Sequence, residues 1–82
     1  MPVFYFDYND GAGSVRDHVG TELRDIDAAL TEASQTLAEL AADAIPGSQQ
    51  RVLDLTVRDG VGDAVMVLSL NYHVKIMGDG PQ

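Results

Sequence analysis

The sequence predicts an α+β domain of two layers: an antiparallel sheet of about four strands with one long helix packed on one face, in the order ββαββ. Three observations predict it. Strand-like runs occupy both ends of the chain, a helical period fills the middle, and a D-G dipeptide interrupts each strand pair.

The first run, VFYFDY (residues 3–8), is aromatic and extended in character. Alternation puts Phe4, Phe6 and Tyr8 on one face and Val3, Tyr5 and Asp7 on the other. Asp10-Gly11 then turns the chain, because glycine takes positive φ without penalty, and a short return strand, SVRD, follows. Asp17 to Gly20, DHVG, has aspartate and glycine at the first and fourth positions of a type I turn.

Asp25 is the expected N-cap of the helix, with Asp27 in the first turn, where the helix dipole favours an acid. Ile26, Ala29, Leu30, Ala33, Leu37, Leu40, Ala41 and Ala44 trace one apolar stripe, and Thr31, Glu32, Gln35, Glu39 and Asp43 fall on the wet side. Pro46-Gly47 stops the helix.

Two strands follow. In RVLDLTVRD, Leu53, Leu55 and Val57 alternate with Asp54, Thr56 and Arg58. After the turn DGVGD comes AVMVLSLNYHV, which is apolar on both faces from Val65 to Leu70 apart from Ser69. Such a strand is either central and covered twice, or presents its second face to another molecule. If Met66, Leu68 and Leu70 face the helix, then Val3, Tyr5, Val65 and Val67 share the open face as an apolar patch. Residues 1–77 are expected to form one domain, and 78–82 a flexible C-terminal tail.

Composition excludes several functions. At 82 residues the chain buries only roughly 60–65% of its unfolded surface, enough for one small core. The absence of cysteine removes disulfides, thiolate nucleophiles and cysteine metal sites. Thirteen acids against five bases give a net charge of -8, a field that repels nucleic acid. No apolar run approaches the ~20 residues that span a bilayer, and no basic segment precedes an apolar one, so a soluble cytoplasmic protein is expected.

One stretch invites a site: FDYNDGAGSVRDHVGTEL (residues 6–23) holds three aspartates, an asparagine and three glycines. As a calcium loop starting at Asp7 it puts Asn9 at position 3, but Gly11 at 5, Ala12 at 6 and His18 at 12, which defeats the EF-hand pattern. As a phosphate loop it has Gly11 and Gly13, but Arg16 stands where the third glycine belongs and the helix begins far downstream. Turn chemistry accounts for every glycine. Asp7 is expected to point to solvent beside Val3 and Tyr5. His18 in a turn and His73 at a strand end are expected at the surface, and no serine sits in a nucleophile elbow.

With these motifs in view, the chain resembles a family of short bacterial proteins, common in alphaproteobacteria, known as domain of unknown function 6894. The resemblance runs from Pro2 to about Val74. It rests on PVFYFDYNDG, on VRDHVGTELRDIDAALTEA with its acid before a G-x-E-L turn and its D-x-x-A-A helix start, and on RVLDLTVRDGVGDAVMVLSL. Where many members carry histidine after the aromatic run, this chain has Asp7. The resemblance implies the fold and no known activity.

Three functions follow in order of preference. The first is a non-enzymatic interaction module, a homodimer built through the open face (Val3, Tyr5, Val65, Val67) or through an edge strand. The second is an acidic adaptor or inhibitor that docks a basic protein. The third is a small metal-binding protein or hydrolase using Asp7, Asp10, Asp17 and a histidine, for which 82 residues leave little room for a pocket. No cofactor or small-molecule ligand is expected.

Overall fold

The computed structural model describes residues 1–78. The elements are β1 (Val3–Asn9), β2 (Ser14–Val15), β3 (Thr21–Glu22), α1 (Ile26–Ala44), β4 (Gln50–Arg58) and β5 (Ala64–His73). The strands form one antiparallel sheet in the order β2-β1-β4-β5, with β3 also paired to β1. The α+β class stands, with five strands among the described residues instead of about four.

The additional strand has a local cause. β2 pairs with the C-terminal end of β1 (Tyr8 with Val15, Asn9 with Ser14) and β3 with its N-terminal end (Phe4 with Thr21, Val3 with Glu22). Between them, residues 16–20 leave the ladder. The expected return strand SVRD therefore stops at Val15, and pairing resumes at Thr21 after the loop.

Asp25 caps α1 as its position predicts, its Oδ1 accepting from the Ala28 N–H at 2.9 Å. The helix ends before Pro46. Its buried seam is Ala29, Ala33, Leu37 and Ala41, which packs on Phe4 of β1 and on Leu53, Leu55 and Val57 of β4. Phe6, Tyr8, Met66, Leu68 and Leu70 complete the helix-facing side. The apolar stripe is wider than the seam: Ile26 and Leu30, expected inside, stay 46% and 48% exposed. Both lie in the first turn and a half of α1, at the N-terminal end of the seam.

β4 and β5 pair along nearly their whole length, from Gln50 with His73 to Val57 with Met66, and the register then slips so that Arg58 meets Ala64 and Val65 is the extra residue. Asp59 closes the hairpin by accepting from the N–H groups of Val61 and Asp63. No helix among the described residues is long and apolar enough to cross a membrane. Apart from Gly78, the expected tail at 78–82 lies outside the described residues.

Candidate functional site

The aspartate-rich stretch resolves into a hydrogen-bonded clamp. β1 places Asp7 on the sheet face opposite the helix, level with Thr56 of β4, and Arg58 stands two pairs along on the same face, level with Tyr5. Arg58 reaches Asp7 through two bonds, Nε to Oδ2 at 2.6 Å and Nη2 to Oδ1 at 3.1 Å. The same Nη2 donates to the Asp17 carbonyl at 2.9 Å. The guanidinium carbon sits 4.9 Å from the Tyr5 ring centroid, so cation and ring also attract. Asp7 thus pairs with Arg58, and the expectation that it points to solvent is corrected: alternation placed it on the right face but could not supply a partner 51 residues away.

Asp17 holds the loop. Its Oδ2 accepts from the Phe6 N–H at 3.1 Å, a donor of β1 left without a strand partner where residues 16–20 leave the ladder. Its Oδ1 accepts from the N–H groups of Val19 and Gly20, and its own N–H donates to Asp7 Oδ1 at 2.9 Å. Gly20 has φ +79, and a Cβ there would lie 2.7 Å from Val3 Cγ1 and 2.9 Å from Tyr5 Cε1. Glycine is required both by the backbone and by the close approach of β1.

Asp10 spends its Oδ1 on the N–H groups of Ala12 and Gly13. All three aspartates of the stretch are therefore engaged by other groups of the protein, Asp10 within its turn and Asp7 and Asp17 in the clamp. The hydrogen bond from Arg58 is the main cause that holds the Asp7 carboxyl below the usual aspartate value. At Asp17 burial pushes upward, but the bonds from Gly20, Val19 and Phe6 outweigh it and the net shift is down. Both acids stay ionised and engaged, a state suited to holding a loop and not to moving protons. Among the described residues no group of three His, Cys, Asp or Glu side chains could hold a metal ion, and His18 and His73 are exposed.

The four residues expected to form one apolar patch divide into two pairs. β4 runs between β1 and β5, so the polar side chains of Thr56 and Arg58 separate Val3 and Tyr5 from Val65 and Val67. Gly20 and Arg58 lie against the first pair. Val67 stands 60% exposed and Val65, in the bulge, 38%.

The family described as a domain of unknown function, DUF6894, matches residues 3–71. The chain belongs to this family. No curated protein and no solved structure matches it. In this DUF6894 chain the D-H-V-G segment ties the loop to β1 through Asp17, and the D-x-x-A-A segment begins the helix through the Asp25 cap.

A second feature lies at the other end of the sheet. The outer edge of β5 pairs with no strand among the described residues. Beside it an apolar groove of about 560 Å³ runs between α1 and the sheet, lined by Ser34, Leu37, Ala38, Ala41, Leu68 and Leu70. Alternation in the sequence had marked both faces of β5 as apolar; that β5 is an edge strand follows only from the pairing of β1 with β4.

Proposed function

We propose that the protein is a non-enzymatic interaction module that associates with a second copy of itself through the β5 edge. The observation that carries this reading is the free edge of a ten-residue strand, Ala64–His73, with no charged residue in a chain of net charge -8. An uncharged edge that no strand covers among the described residues invites another strand, because the outward N–H and C=O groups of such an edge are open to pairing.

The helix supports the same surface. At about 100° per residue, Leu30, Ser34 and Ala38 project on the flank that overhangs β5, with Asp27 on the same flank at the helix start, while Glu32, Glu39 and Asp43 project on the opposite flank. Two copies meeting edge to edge would bring the uncharged strands and the Ser34 and Ala38 surfaces together and keep Glu32, Glu39 and Asp43 apart. An edge about 33 Å long and two layers deep covers roughly 500 Å² per copy, and roughly 1,000 Å² in total reaches the size of a specific interface.

Light scattering at micromolar concentration tests it: the expected mass is twice the 8.8 kDa of one chain. Ala38→Glu, exposed on the overhanging flank, should return the mass to one chain, whereas Val52→Glu, on the open face of β4, should not. The opposite pattern would assign association to the open face, and a wild-type chain that remains monomeric would overturn the reading.

Docking of a basic protein on the acidic flank (Glu32, Glu39, Asp43) is the second reading, favoured by the net charge of -8. Salt separates the two, since charge-driven docking weakens with ionic strength and apolar edge pairing does not.

A further inference from the structure

The pairing of β4 with β5 also determines which groups of β5 are offered outward. The Val74 N–H donates to the Gln49 carbonyl at 2.8 Å, just beyond the pair of Gln50 with His73. In an antiparallel ladder, residues that exchange both main-chain bonds alternate with residues that exchange none. Counting back from Val74, the residues Tyr72, Leu70, Leu68 and Met66 bond inward to β4. Asn71, Ser69 and Val67 therefore direct their N–H and C=O groups away from it.

Resting on the dimer reading above, we infer that two copies pair their β5 strands antiparallel about a two-fold axis at Ser69, closing each apolar groove with the partner's Leu68 and Leu70. In this register Ser69 faces the partner's Ser69 and Val67 faces the partner's Asn71. Every outward group meets an outward group, so each pair exchanges both of its main-chain bonds. On the helix side Leu68 falls opposite the partner's Leu70, and Met66 opposite the partner's Tyr72. These are the residues of β5 that are only half-buried in one copy, and Leu68 and Leu70 line the groove. A two-fold axis makes the contact self-closing, so assembly ends at two chains. The two helices then lie on the same face of one continuous sheet, with Leu30, Ser34 and Ala38 of each turned toward the other. The small side chains at Ser34 and Ala38 allow the close approach.

A register is tested by placing one thiol at a time, which the cysteine-free sequence makes unambiguous. Ser69→Cys should form a disulfide-linked dimer under mild oxidation, because directly opposed Cα atoms lie about 5.5 Å apart, within disulfide reach. Val67→Cys, Leu68→Cys and Asn71→Cys should cross-link at least about tenfold more slowly, since a displacement of two or more residues takes the Cα atoms past about 7 Å. Fastest cross-linking at Leu68→Cys or Asn71→Cys, with a wild-type mass of two chains, would overturn this register and leave the dimer standing. No cross-link at any of the four sites in a protein of two-chain mass would overturn β5 pairing. A one-chain mass throughout would overturn both the register and the dimer.

Discussion

The two edges of this sheet are finished in opposite ways. At the β1 edge the chain folds back twice: β2 and β3 cover the two ends of β1, and Asp17 supplies an acceptor for the Phe6 N–H in the gap between them. Asp7 and Arg58 then fasten that loop to the sheet. At the β5 edge nothing comparable stands among the described residues; ten residues without a charged side chain run beside an apolar groove. Edge strands are commonly protected by charge, proline, bulges or covering loops. Here one edge has a covering loop, and the other has only the bulge at Val65. The contrast teaches that the polar residues which most resemble a site close the sheet on one side, and that the edge on which the proposed association rests lies on the other.

The largest expected effect breaks what both edges depend on. Leu37 is buried in the helix seam and also lines the groove above β5. Leu37→Ala should cost about 2–5 kcal/mol in urea unfolding. A cost below about 1 kcal/mol would mean that the helix is not held by this seam.

The closed edge should yield next. Asp17→Ala strands the N–H groups of Phe6, Val19 and Gly20, and a cost of about 1–3 kcal/mol is expected. Gly20→Ala should cost a similar amount, about 1–3 kcal/mol, from its positive φ and the contact with Val3. Neither substitution should alter the mass of the assembly if association belongs to the β5 edge.

Acid should loosen the same region. Asp7 and Asp17 have folded pKa values below the ordinary aspartate value of 3.8, so the unfolded chain binds protons first as pH falls. Their contribution is complete well above 3.8 and is lost as pH falls through the folded values. The urea midpoint should therefore be flat from neutral pH to about pH 5 and decline below about pH 4. In Asp7→Asn the decline should be shallower, and an unchanged decline would show that the clamp does not contribute to acid stability.

The smallest effect is expected at Glu39, exposed on the flank away from β5. Glu39→Ala should change stability by less than about 0.5 kcal/mol and leave the assembly mass untouched.

Local rules made much of this architecture legible. The Asp25 cap, the helical period from Ala29 to Ala41 and the D-G turns are each decided within a few residues, and the structure has them where the sequence puts them. β3 was missed because two residues carry no periodicity. The Asp7–Arg58 pair and the order of the strands were missed for one shared reason. Both arise where β1 meets β4, a pairing that closes across the whole helix, with Tyr5 opposite Arg58. A charged residue in an otherwise apolar strand was the one available signal; Asp7 raised the question, and only the register named Arg58 as its partner.

Amide hydrogen exchange resolved residue by residue, over a dilution series, compares the two edges directly. The Phe6 N–H, capped by Asp17, should be protected at every concentration. The outward N–H groups of Val67, Ser69 and Asn71 should be protected at high concentration and exchange freely once the protein is dilute. Free exchange of these three at every concentration would contradict the account, as would protection that does not change with dilution.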